Sequence, residues 1–265
     1  MNRFDLYELA VQSPDLEVRF LRAVHGGEPR RLGEDFCGPG SLSRAWVRQL
    51  PEGHAACVDL DAEPIEHARR RARAQLSADA AARISYHEVD VRHCDVEVDV
   101  IAALNFAACE FHARADLLAW LGNARRRLEA ARGVLVADLY GGPGALIPGD
   151  TVMHIEMDGG DGPGVMYTWA QDAVDPLTGR VRNRIHFELP DGTRMEGAFR
   201  YDWRLWTVPE LRDAMAEAGF PSTSVYTSYG DAMDGDGNLL IREARGQDLE
   251  DEDNWVAYVV GRTGG

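Results

Sequence analysis

Apolar positions along the chain follow two rhythms that alternate. Short runs bounded by polar or glycine residues, at 31–37, 55–60, 83–89, 98–104 and 133–139, read as strands. Between them, apolar residues spaced three or four apart predict helices over 40–49, 63–76 and 113–130. Strands alternating with helices imply βαβ units, hence an α/β fold with a doubly wound, mostly parallel sheet. Ahead of the first strand, residues 6–24 place Leu16, Phe20, Leu21 and Val24 on one helical face. Ser13 and Pro14 suit the N-cap and first-turn positions of that amphipathic helix, which should pack on the main domain.

After Gly141 the rhythm changes. The turn-rich stretch Gly141 to Asp150 is followed by period-two patterning at 152–157, 165–173, 181–189 and 194–201, with Pro190-Asp191-Gly192 as a hairpin turn. This predicts an antiparallel β insertion over 142–206. Helical spacing resumes at Thr207, where Glu210 can complete a capping box, and ends at Gly219. Strands at 224–229 and 254–261 close the pattern, with an acidic, glycine-rich loop over 231–253 between them.

The 265 residues suffice for one large α/β domain carrying such an insertion. No apolar run approaches the ~20 residues of a membrane span, and the N-terminus lacks the basic and apolar regions of a signal peptide, so the cytoplasm is the expected location. All 28 basic residues are arginine, and the net charge of −16 disfavours nucleic acid as a partner. The basic run Arg69-Arg70-Arg71-Ala72-Arg73 reads as a solvated helix face. Of the four cysteines, Cys57, Cys94 and Cys109 read as core, while Cys37 lies in a glycine-rich turn without partners at zinc spacing, so no metal is expected.

That turn carries most of the chemical information. Leu32-Gly33-Glu34-Asp35-Phe36-Cys37-Gly38-Pro39-Gly40-Ser41 runs from a strand through glycines into a helix, where the backbone can approach a ligand. Asp59 and Asp61 end the next strand about 20 residues on, where a carboxylate can accept ribose hydroxyls. Asp90 ends the third strand, where it can receive an adenine amine. Each acid also has a plain alternative: Glu34, Asp35, Asp59 or Asp61 as a helix cap, Asp90 as a turn residue. All of them at the carboxyl ends of successive strands favour a nucleoside site.

On these residues the chain resembles the class I S-adenosylmethionine-dependent methyltransferases. Their acid-x-glycine-x-glycine-x-glycine motif is matched by Glu34 to Gly40, with Phe36 in place of one glycine. The segment Tyr7, Val11, Gln12, Pro14 and the Asp35-Phe36-Cys37-Gly38 turn are similar to a bacterial small-molecule subgroup. The resemblance implies a Rossmann-like seven-stranded sheet, S-adenosylmethionine as cofactor and S-adenosylhomocysteine as product. It implies that Asp59 holds the ribose, with Leu60 beside it. It also implies that Asp90 and Val91 lie at the adenine, and that Gly38 and Gly40 pass beneath the methionine moiety. Residues 30–141 would then form the cofactor core and 207–265 its C-terminal part. Residues 1–29 would form a helical lid in which Tyr7 and Gln12 either cover the cofactor or anchor a packing helix. A dinucleotide cofactor fits less well, because the turn lacks the full G-x-G-x-x-G spacing.

Methyl transfer needs alignment, desolvation and sometimes a base, so no catalytic residue is assigned. Three clusters reach the strand ends: Asn105 with Glu110, the stretch 138–142 including Tyr140, and Tyr201-Asp202-Trp203-Arg204-Leu205-Trp206. Asn105 is expected at the cofactor, and Glu110, Tyr140, Trp203, Arg204 and Trp206 at the acceptor. The two tryptophans have the alternative of packing a hinge. His112, His154 and His186 are possible bases. The expected partner is a small molecule, with a homodimer left open. The alternatives to methyl transfer are a cyclase or lyase using the same cofactor, or a binding module without turnover.

Overall fold

A computed structural model describes residues 1–156, 164–230, 232–234, 239–249 and 252–264. Its main sheet takes strands β1 (Arg31–Asp35), β2 (His54–Asp59), β3 (Ile84–Glu88), β4 (Val100–Ala103) and β5 (Val134–Gly141) from the region where alternation predicts βαβ units. With β10 (Ser222–Tyr226) and β13 (Trp255–Arg262) the order is β10-β13-β5-β4-β1-β2-β3. The five leading strands are parallel, and β13 runs antiparallel between β5 and β10. The sheet is the expected seven-stranded one.

Both faces are covered, which is why the central strands read as continuous apolar runs. Helices α2 (Pro14–His25), α3 (Ser41–Gln49) and α4 (Ala62–Gln75) bury Phe20, Leu21, Trp46 and Ile65 on one face. Helices α6 (Arg114–Glu129) and α7 (Val208–Glu217) bury Leu117, Trp120, Leu211 and Met215 on the other. Chain order moves outward from β1 to β3 and then returns across β1 to β4. Doubly wound sheets open a crevice at that switch point, outside the carboxyl ends of the strands.

The insertion is a four-stranded antiparallel sheet, β6 (Gly149–Ile155), β7 (Val165–Asp175), β8 (Arg180–Glu188) and β9 (Arg194–Arg204), in that order. The 190–192 turn joins β8 to β9 as expected, with Gly192 at φ 82° and the Asp191 carboxylate accepting the Thr193 amide at 2.9 Å. The expected last position of β6, Met157, lies outside the described residues. Thr207 and Glu210 form the capping box, and Gly219 ends that helix region at φ 94°.

The N-terminus departs from expectation. The amphipathic helix starts at Ser13 and Pro14 as expected, as α2, and a helix that the pattern did not predict, α1 (Arg3–Val11), precedes it. The start of α1 is fixed by a capping box between Asn2 and Asp5 that carries no apolar signal. Helix α1 has no single apolar face because it is packed on two sides. Leu6 meets Tyr167, Ile185 and Phe187 of the insertion, while Glu8 pairs with Arg44 of α3 at 2.7 Å. Residues 78–81 add a short helix, α5, and the 231–253 stretch contains the small ladder β11 (Ala232–Met233) with β12 (Leu239–Leu240). All four cysteines are free and buried. Among the described residues no helix is long and apolar enough to cross a membrane.

Candidate active site

The carboxyl ends of β1 to β4 converge on a cavity of about 1120 Å³. The turn after β1 is held by its own backbone: Cys37 N–H donates to the Val58 carbonyl at 3.0 Å, and Gly40 N–H to the Cys37 carbonyl at 2.8 Å. Phe36 takes φ 58°, the left-handed conformation that glycine adopts freely and other residues adopt at a cost of ~1–3 kcal/mol. The phenylalanine therefore keeps a backbone shape suited to glycine, and its ring packs edge-on against Phe111 and Trp120. A Cβ on Gly38 (φ 49°) would meet nothing within 4 Å, so this stretch of turn presents open backbone. At Gly40 a Cβ would approach Ala68 Cβ to 3.0 Å and Cys57 Sγ to 3.1 Å. That glycine serves the seating of the turn on α4 and β2.

Glu34 accepts the Ser43 amide of α3 at 2.8 Å, the capping alternative read from sequence, and lies below the turn. It lines a separate cavity of about 20 Å³ with Gln12, Glu17 and Asn105, and burial pushes its carboxyl up to about 7. Asp35 faces away from the site into a fully buried pair with Arg127 at 2.9 Å. Asp59 accepts Gly38 N–H at 2.9 Å and Asp61 N–H at 3.0 Å, and burial holds its carboxyl above the usual range. Asp61 caps α4 through the Glu63 amide. Next to Asp59, Leu60 is 71% exposed, an apolar side chain on the cavity wall, and Val91 is also in the lining. Asp90 is bound by the Arg92 guanidinium at 2.6 Å, which holds its carboxyl below the usual range.

After β4, Asn105 (φ 60°) and Phe106 (φ 65°) are consecutive left-handed residues. Both amides donate to the buried Asp138 carboxylate of β5, at 3.0 and 2.7 Å, and burial pushes that carboxyl up to about 7. The clamp orients a short 3₁₀ turn, Ala107–Glu110, that presents Glu110 to the cavity. Glu110 accepts the Trp203 indole N–H at 2.6 Å, and burial raises its carboxyl.

The roof comes from α1 and β9. Arg3, Phe4 and Tyr7 line it from one side, Gly197 to Tyr201 and Trp203 from the other. Arg3 donates to the Ala198 carbonyl at 3.3 Å, and the Tyr7 ring lies 4.9 Å from that of Phe199. Tyr7 is hydrogen-bonded to Tyr201, and burial raises its hydroxyl far above the ordinary tyrosine value. Gln12, where the N-terminal helices break, accepts the Ser41 hydroxyl at 2.6 Å.

The structure thus brings Tyr7, Gln12, Phe36, Gly38, Asp59, Leu60, Asp90, Val91, Asn105, Glu110 and Trp203 to one cavity. Arg204 and Trp206 require correction. Trp206 is buried with its N–H on the Phe111 carbonyl, while Arg204 stacks on Trp206 at 3.8 Å and donates to the His112 carbonyl. Neither is among the residues that line the cavity. Tyr140 lies behind the wall, its hydroxyl on Asn183 at 3.2 Å and its ring among Phe106, Trp169 and Trp203. His112 lines the cavity with Nε2 on the Asp202 carbonyl, whereas His154 and His186 belong to the insertion sheet. Phe4, Arg3 and Phe199 escaped sequence reasoning. The period-two run Phe199, Tyr201, Trp203 is the signal that could have found the β9 wall.

Residues 36–131 match the family described as methyltransferase domain. The matched stretch runs from the turn after β1 to the end of the α6 region. Solved methyltransferases share the whole architecture. An S-adenosylmethionine-dependent methyltransferase from Clostridium acetobutylicum aligns with TM-score 0.69 at 16% identity, over 99% of this chain and 98% of that one. A sugar N-methyltransferase from Streptoalloteichus aligns at 0.65 and 21% identity, covering 98% and 92%. An amino pentose methyltransferase from Micromonospora echinaspora, solved with S-adenosylmethionine bound, aligns at 0.63 and 18%, covering 98% and 95%. At these identities the likeness establishes the fold, and the insertion is part of it. No curated protein matches.

Proposed function

We propose that this methyltransferase moves the methyl group of S-adenosylmethionine to a small-molecule acceptor held between the strand ends and the β9 and α1 roof. The observation that carries the reading is Asp59. It is a largely buried carboxylate whose two protein partners are backbone amides, facing a cavity beside the exposed Leu60. Asp59 would hold a ribose diol through its remaining acceptor capacity, and Leu60 would offer an adenine ring an apolar surface. S-adenosylmethionine, when bound, contributes a methyl group activated by a positively charged sulfur.

The chain's own groups would do the rest. Asp90, fixed by Arg92, suits an adenine amine, and Gly38 leaves room for the methionine moiety beside Gln12 and Asn105. Tyr7, Phe199 and Tyr201 exclude water from above, which strengthens every polar contact below. Glu110, Trp203 and Tyr201 form the wall that an acceptor meets. Because the sugar N-methyltransferase and the amino pentose methyltransferase share the fold, amine-bearing sugars are a natural first set of acceptors. The test is calorimetric titration with S-adenosylhomocysteine, followed by incubation with S-adenosylmethionine and candidate acceptors. Formation of S-adenosylhomocysteine supports methyl transfer, and methylthioadenosine in its place would point to a cyclase or lyase.

A further inference from the structure

Five carboxylates line the large cavity: Asp59, Asp61, Asp90, Glu110 and Asp116. Two are ion-paired and two hold backbone amides. Asp59 holds the Gly38 and Asp61 amides, Asp61 caps α4, and Asp90 and Asp116 share the guanidinium of Arg92 at 2.6 and 2.5 Å. Glu110 differs. Its Oε1 accepts the Trp203 indole N–H at 2.6 Å, and no described residue is paired with Oε2. No arginine neutralises it, in contrast to Asp90 and Asp116.

Beside this carboxylate stands an aromatic wall. Tyr201 and Trp203 are stacked with centroids 4.3 Å apart, Trp169 lies 5.9 Å behind Tyr201, and Phe106 closes edge-on to Trp203 at 6.1 Å. Glu110, Tyr201 and Trp203 line the same cavity, and a carboxylate there that no arginine neutralises attracts a cation through its charge. We propose that Glu110, with Tyr201 and Trp203, is a subsite for a cationic amine group of the acceptor, which binds there by its charge while a separate, uncharged nucleophile of the same molecule receives the methyl group. This rests on the methyltransferase reading and adds the acceptor class to it.

The groups that face Glu110 set its response to pH. Burial raises its carboxyl, the Trp203 N–H lowers it, His112 lowers it, and Asp59 and Asp202 raise it. The subsite therefore loses its charge, and its hold on a cation, at a pH above that of an exposed glutamate.

The test uses choline, whose nitrogen stays charged at every pH, against its neutral isostere 3,3-dimethylbutan-1-ol, titrated calorimetrically into the S-adenosylhomocysteine complex. Saturable choline binding at pH 8, at least tenfold tighter than the alcohol, is expected. Glu110→Gln should weaken choline at least tenfold while S-adenosylhomocysteine affinity stays within about twofold. Wild-type affinity for choline should fall on acidification to pH 5 and that of the glutamine variant should not. Should the glutamine variant lose its fold, Trp203→Phe replaces it, because removing the N–H must move the pH of choline release upward. Equal binding of choline and the alcohol, full choline affinity in Glu110→Gln, or an unmoved release pH in Trp203→Phe overturns the subsite. Failure of choline with S-adenosylhomocysteine still bound overturns this inference alone, whereas failure of the wild type to bind S-adenosylhomocysteine overturns the reading beneath it.

Discussion

Along the floor of the cavity each functional group lies within a few residues of the end of its own strand: Gly38 after β1, Asp59 at the end of β2, Asp90 after β3 and Asn105 after β4. In the roof, partners come from opposite parts of the chain. Arg3 meets Ala198 across 195 positions, and Tyr7 meets Phe199 and Tyr201. The floor is held by backbone geometry that the parallel sheet imposes, the roof by contacts between side chains far apart in sequence. Damage to the floor should therefore reach stability and cofactor binding together, while damage to the roof should leave cofactor binding nearly intact.

The largest effect is expected at Asp138. Its carboxylate satisfies two amides in consecutive left-handed residues, and an unmet buried donor costs ~1–3 kcal/mol. Asp138→Ala should lose about 3 kcal/mol or more, read as a fall of roughly 10 °C in melting temperature for a chain of this size. It should also weaken S-adenosylhomocysteine, since Asn105 lines the same cavity. A variant that melts within a few degrees of wild type would separate the floor's geometry from this clamp.

Asp59→Ala comes next. Hydrogen bonds to a charged group are worth ~1.5–3 kcal/mol, so one lost ribose contact predicts at least a tenfold loss of S-adenosylhomocysteine affinity. Calorimetry reads it directly, and an unchanged constant would remove Asp59 from the site.

The same contrast explains what the sequence made legible. Strand ends could be read because alternation fixes where a strand stops and the turn chemistry follows at once. Gly38, Asp59 and Asp90, read in this way, line one cavity, while Glu34 lies at a separate one. Helix α1 was not legible, because Asn2 and Asp5 set its start through polar caps while it buries two faces and shows no apolar stripe. Arg204 and Trp206 misled because composition says which residues are sticky and not which way a strand turns them. Along β9 the alternation sends Tyr201 and Trp203 to the cavity and Arg204 to the hinge. Tyr140 and Asp138 occupy one strand two residues apart, yet their roles depend on Asn183 and on the β4 turn, neither of which is near in sequence.

A third expectation concerns pH. Glu17, Glu34 and Asp138 lie under the floor, and burial pushes each up to about 7. Each therefore binds its proton more tightly folded than unfolded. The stability this confers is fully present below the ordinary carboxylate range near ~4 and is lost as pH rises through about 7. Melting temperature should fall between pH 6 and pH 8, and Glu17→Gln should shallow the fall because an amide can still accept the Ser13 N–H. A melting temperature rising over that interval would mean that other groups govern it.

The smallest effect is expected in the roof, where two substitutions divide lid from hinge. Tyr7→Phe keeps the ring against Phe199 and removes only the hydrogen bond to Tyr201, worth ~1 kcal/mol net. Arg204→Ala removes the guanidinium stacked over Trp206, a contact worth ~0.5–1 kcal/mol where partly exposed. Both should lower the melting temperature by a few degrees at most. They should part company in binding: Tyr7 lines the cavity, so its phenylalanine variant should bind S-adenosylhomocysteine some threefold more weakly, whereas Arg204→Ala should bind it as wild type does. The direction follows from the side of β9 that each residue contacts. If Arg204→Ala loses cofactor affinity while Tyr7→Phe keeps it, the strand presents its opposite face to the site, and the aromatic wall at Tyr201 and Trp203 would have to be abandoned with it.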